Sequence, residues 1–108
     1  MKKPVFLVYE PGESYDGGME PLLVCSTEPA ATHAADQITA FAARLKHRVD
    51  ALDVWEEGIP DEEYARREAK RTHILQRARW PFGVKRSEYS TLDIAAKVMQ
   101  LPFAQKVA

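Results

Sequence analysis

Residues 22–45 read LLVCSTEPAATHAADQITAFAARL, and the fold class turns on this stretch. Leu22-Leu23-Val24-Cys25 is a short apolar run of strand type. It gives way to Ser26-Thr27-Glu28-Pro29, which has the chemistry of a helix start. A hydroxyl can accept the orphan N–H groups, an acid suits the positive end, and proline is tolerated in the first turn. Ala31, Ala34, Ala35, Ile38, Phe41, Ala42 and Leu45 then recur at spacings of three and four, one continuous apolar stripe. A strand that feeds an amphipathic helix predicts an α+β protein.

Upstream, Val5-Phe6-Leu7-Val8-Tyr9 is a second strand signal. Val5, Leu7 and Tyr9 fall on one face and Phe6 and Val8 on the other, which suits a strand covered on both sides or central in its sheet. Pro11 and Gly12 break it, and Tyr15-Asp16-Gly17-Gly18 is turn chemistry. The two runs are therefore expected to be antiparallel neighbours across a loop of about ten residues, longer than most hairpin loops.

Downstream, the helical stripe extends through Val49, Leu52 and Trp55. One long helix to about Glu57 is expected, with a break near His47 to Asp50 as the alternative. Gly58 suits a C′ position, with Pro60 as the stop. Asp61 then reads as an N-cap for a second helix from Glu62 to Arg79, and the short connection predicts an antiparallel hairpin. Trp80-Pro81-Phe82-Gly83 ends it. From Leu92 to Met99 the residues alternate with a strand period, although Ile94, Val98 and Leu101 also fit a helical stripe. The strand is favoured because a lone hairpin needs a third partner. The expected architecture is one domain over residues 1–108. It is a small antiparallel three-stranded sheet in ββααβ order, with a helical hairpin packed on one face. Trp55, Phe41, Ile38, Leu45 and Leu75 are its expected core or inter-helix residues.

Composition agrees with a single folded unit. The chain has 108 residues, 45% hydrophobic and 29% charged, with net charge -1 and one cysteine. Its apolar content argues against disorder. No apolar run approaches the roughly 18 residues that cross a bilayer, and no leader pattern precedes the first strand. A cytoplasmic location is expected, with no membrane partner.

The segments VFLVYE, YDGG and PLLVCSTEPAATHAADQI, in that order, resemble the opening of small α+β proteins common in phage and prophage genomes. The late stretch TLDIAAKVMQLPF is similar to the strand that closes such chains. The resemblance covers about the first 45 residues and, loosely, residues 89–103. It implies a ββααβ fold and a phage-type accessory role, and it carries no catalytic residues.

Catalytic chemistry has little to stand on. Nucleophilic catalysis needs a thiol or hydroxyl beside a base. Cys25 ends an apolar strand, where a free thiol usually serves as a small hydrophobe. His33, His47 and His73 form no metal-ligand spacing, and Gly17-Gly18 precedes a strand rather than a helix that could hold a phosphate. A non-enzymatic protein with no cofactor is expected. A ligand pocket between the Tyr15–Gly18 loop and the helices is a lesser possibility.

The informative feature is charge segregation. Residues 50–63 hold seven acids and no base, whereas residues 66–86 hold eight bases and one acid. Arg66, Lys70, His73 and Arg77 fall on one helical stripe, with Arg71, Arg79 and Trp80 close by. Such a stripe can dock an acidic protein surface, and basic residues beside an aromatic can also grip phosphates and stack bases. A self-compensating surface is the competing explanation, since Glu62–Arg66 and Glu63–Arg67 have i,i+4 spacing in the favourable order. The leading expectation is stoichiometric binding to a host or phage protein, of which inhibition of a host defence factor is one form. Nucleic-acid binding through residues 66–86 is the alternative. A homodimer through the long helix is a further possibility, because a stripe reaching Trp55 would exceed what a shorter second helix covers.

Overall fold

The computed structural model describes residues 3–11, 19–86 and 92–102. In chain order the elements are β1 (Val5–Glu10), β2 (Glu20–Cys25), α1 (Glu28–Asp50), α2 (Asp61–Gln76), a 3-10 turn (Pro81–Gly83) and β3 (Lys97–Leu101). The sheet is antiparallel with β1 central, in the order β2-β1-β3. Val8 pairs with Leu23 on one side and Val98 on the other. An irregularity between Val8 and Tyr9 shifts the β1–β2 register.

Helix α1 starts as its sequence dictates. Thr27 is the N-cap, and its Oγ1 accepts from the Ala30 N–H at 3.3 Å. The apolar stripe is buried at Ala31, Ala34, Ala35, Ile38, Ala42, Leu45 and Val49. Alanines along this face let the helix backbone approach the sheet, since interaxial distance follows side-chain size. Val8 and Ile38 are the largest fully buried side chains, and Val84 and Ile94 complete the main core. Burying a side chain of this size contributes roughly 1.5–3 kcal/mol.

Helix α1 alone contacts all three strands, and α2 packs on α1. Of the helical hairpin expected on the sheet, α1 covers the sheet and α2 packs on α1. Leu45, Val49 and Val54 are buried outside the cluster that joins α1 to the sheet. They are buried in an arm made of the end of α1, residues 51–60 and α2.

The expected extension of α1 to Glu57 fails. The helix stops at Asp50, capped at Ala51, which is the alternative break. Short bonds from Leu52 N to Val49 O and from Asp53 N to Asp50 O turn the chain, and Asp53 adopts a left-handed φ of 48°. Past this turn the helical period no longer decides burial. Val54 goes inward at 5% exposed, and Trp55, expected in the core, points outward at 82% exposed. The stripe of α1 is buried from Ala31 to Val49 except for the half-buried Phe41, and Trp55, which the extended stripe was to include, lies beyond the helix.

Two other boundaries move. α2 begins at Asp61, with Pro60 as its N-cap and no side-chain cap bond, and it ends at Gln76, short of Arg79. The tail is a strand, but it begins at Lys97 rather than Leu92. Before it, Ile94 enters the core and the Ala96 N–H donates to Thr39 Oγ1 at 3.0 Å. That bond ties the segment to α1 before it reaches β1. The Tyr15–Gly18 loop lies outside the described residues.

Candidate functional site

The basic residues of the arm divide into two sets. In the first, each cation is held by the chain itself. Arg67 donates through Nε to Glu63 Oε1 at 3.0 Å, and through Nη1 to Glu56 Oε2 at 2.8 Å and the Asp53 carbonyl at 2.9 Å. These bonds fasten the arm's tip to α2. Hydrogen bonding from Arg67 is the main cause holding the Glu63 carboxyl below the ordinary glutamate value. Arg66 Nη2 also bonds Glu63, and Arg71 Nη1 lies 3.7 Å from Glu68. Of the two expected i,i+4 pairs, Glu63–Arg67 forms, while Arg66 turns to Glu63 rather than Glu62.

In the second set, Lys70, His73, Arg77 and Arg79 are exposed, and among the described residues none makes an ion pair. Arg66, Lys70, His73 and Arg77 all lie on the outward face of α2, so the structure keeps the stripe in one place. The face turned toward α1 carries the half-buried Glu63, Arg67, Arg71, Ile74 and Leu75.

Trp80 departs from this face. Its ring packs against Phe41 at 4.8 Å between centroids, and the Arg86 guanidinium carbon sits 5.0 Å from its centroid. It is half-buried at the border of the main core, with its ring engaged by Phe41 and Arg86.

Arg86, counted above with the basic surface, is buried. Its side chain is 1% exposed, with Nη2 at 2.5 Å from Glu10 and 3.6 Å from Glu20. Glu10 and Glu20 are register partners at the end of β1 and β2 that residues 11–19 join. Arg86 thus ties the two strands to the chain that follows the 3-10 turn. Burial is the main cause raising the Glu10 carboxyl above its ordinary value. Arg86 opposes the rise, and the hydrogen bond and charge of Glu20 add to it. Nε and Nη1 of Arg86 have no hydrogen-bond partner among the described residues. No local pattern marks Arg86 as internal; it acquires its partners across 76 residues of chain.

Sequence reasoning missed the exposed aromatic pair at the tip, because it expected Trp55 in the core. Trp55 lies 6.5 Å from the Tyr64 ring, and both are exposed. Asp53, Glu57, Asp61 and Glu62 are exposed around them and make no ion pair among the described residues. The signal available was the run of seven acids flanking an indole, which reads more easily as surface than as core.

A cleft of about 490 Å³ between the tip and α2 is lined by residues including Asp53, Glu56, Glu63, Arg66, Arg67 and Lys70. Its charges of both signs largely neutralise one another. Among the described residues no cluster of His, Cys, Asp and Glu could hold a metal ion, and no helix is long and apolar enough to cross a membrane. Cys25 is half-buried. No family model, curated protein or solved structure matches the chain.

Proposed function

We propose that the chain is a non-enzymatic accessory protein of phage type that binds a protein partner stoichiometrically, with the outward face of α2 as the contact surface. One observation carries the reading. Lys70, His73, Arg77 and Arg79 stand exposed without an ion pair among the described residues, while Arg66, Arg67, Arg71 and Arg86 are engaged by carboxylates. A row of unengaged basic side chains steers and orients an approaching acidic surface, giving specificity and on-rate more than raw affinity. The complementary chemistry is an acidic protein surface, and inhibition of a host defence factor is the form that an accessory role suggests.

The same cations could hold phosphates. Trp80, the aromatic on which a nucleic-acid reading relies, is packed against Phe41 and Arg86, which favours the protein partner.

The test is a photo-crosslinking residue at position 70, with a control at Val24, exposed on the sheet. The reading expects a protein captured from position 70 and not from position 24. That protein, once purified, should bind in a 1:1 complex that the Lys70→Glu/Arg77→Glu variant cannot form. Oligonucleotide binding that weakens steeply with salt, with no reconstituted protein complex, would replace this reading with the nucleic-acid one.

A further inference from the structure

We infer that two copies of this chain pair through their α2 helices, antiparallel, about a two-fold axis near Ala69. The surface concerned is a shallow groove of about 580 Å³ along α2, lined by residues including Tyr64, Ala65, Glu68, Ala69, Thr72 and His73. Among the described residues it carries no covering element, and α2 has no buried residue. Most helical stability in proteins comes from packing one face rather than from propensity, so a helix with no buried residue gains from a second contact.

The occupant follows from the order of charges. A two-fold interface must be complementary to itself. The exposed Asp61 and Glu62 begin α2, and the exposed Arg77 and Arg79 lie just beyond its end. None of the four makes an ion pair among the described residues. Reversing one helix over the other about Ala69 sets residue 61 beside residue 77 of the second copy, and residue 65 beside residue 73. Each acidic end then meets a basic end, twice per pair. In the middle, Ala65 and Ala69 are small enough for the helices to approach closely. At each end, the tip bearing Trp55 and Tyr64 comes alongside Arg79 of the second copy, where an arginine can lie over an aromatic ring. That placement gives a role to an indole left 82% exposed. Arg66 and Lys70 lie outside the groove and stay accessible in the pair, whereas His73 and Arg77 of the stripe are taken into the seam. The pairing does not rest on the partner-binding reading, and a monomeric chain would leave that reading intact.

The experiment is sedimentation velocity on the full chain at loading concentrations of about 1 to 200 µM, a span in which modest interfaces dissociate. A species of twice the 12.2 kDa chain mass should grow with concentration and shrink with added salt. Ala69→Glu puts two carboxylates together at the axis. It should weaken pairing by about 100-fold or more, as like charges in a contact do, with far-UV circular dichroism unchanged. The second arm uses Asp61→Arg/Glu62→Arg and Arg77→Glu/Arg79→Glu. Each variant alone should be monomeric, and a 1:1 mixture should pair, because both contacts then join opposite charges. A chain that is monomeric throughout the range, a dimer indifferent to Ala69→Glu, or a mixture that stays monomeric would each overturn the inference.

Discussion

Replacing Arg86 with methionine probes the most heavily buried charge that the structure describes. Methionine keeps much of the apolar stem and removes the guanidinium, so the change reads charge more than packing. At pH 7 the variant leaves Glu10, 12% exposed, without its main cation. Breaking a buried pair by removing one partner costs about 3–5 kcal/mol. Against this, Nε and Nη1 of Arg86 are buried without partners, and their removal relieves roughly 1 kcal/mol each. The net expectation is a loss of about 2 kcal/mol. With a urea slope of about 1.3 kcal/mol/M, the midpoint falls by roughly 1.5 M. The sign with pH follows from Glu10. Its carboxyl already lies above the ordinary value, and losing Arg86 raises it further. A raised acid binds its proton more tightly in the folded state, so the variant's deficit grows as pH rises above about 4.5 and shrinks toward acid. Glu10→Gln added to Arg86→Met should recover part of the loss. Urea melts at pH 4.5 and pH 7, followed by circular dichroism, measure all three. A variant within about 0.5 kcal/mol of the parent at pH 7, the range of an ordinary surface change, would refute the reasoning. So would a deficit equal at both pH values.

Other consequences can be checked in the same way. In the parent chain, Glu10 contributes less stability as pH rises from the ordinary 4.5 through its raised folded value, so Glu10→Gln should flatten that limb of a stability-versus-pH curve. Glu63, held low by Arg67, acts oppositely: its contribution is full above 4.5 and fades as pH falls through its folded value, and Glu63→Gln should remove that acid limb. Trp55→Ala should change unfolding stability by no more than about 0.5 kcal/mol. Trp80→Ala should cost about 3 kcal/mol, because it deletes a ring packed on Phe41 and Arg86. Arg67→Ala should speed amide hydrogen exchange at Val54 and Glu56 without changing it at Ile38, since Arg67 fastens the tip and not the main core.

The parts of the fold that were legible in the sequence are those fixed by local chemistry. Thr27 caps α1 because a hydroxyl before Glu28-Pro29 has few other uses, and the alanine-rich stripe to Val49 has a single helical reading. Apolar residues on both faces around Val8 suited a strand central in its sheet, and β1 is central. What stayed hidden depends on contacts distant in sequence. Trp55 keeps the helical period of α1, so only the turn at Asp53 reveals that the period has ended. Arg86 looks like its basic neighbours until Glu10 and Glu20 arrive from the other end of the chain. Likewise, Ile94 alternates as a strand residue should, yet its segment is claimed first by Thr39 of α1. The stripe of Arg66, Lys70, His73 and Arg77 was legible because helical geometry alone gathers it, whereas which cations remain unengaged was decided by Glu56, Glu63 and Glu68.

The central claim is that these unengaged cations dock an acidic partner, and calorimetric titration of the reconstituted partner tests it most directly. Reversing Lys70, Arg77 and Arg79 to glutamate together should weaken binding by about 100-fold or more, and the parent affinity should fall as salt is raised. An affinity unchanged by the triple reversal would contradict the account.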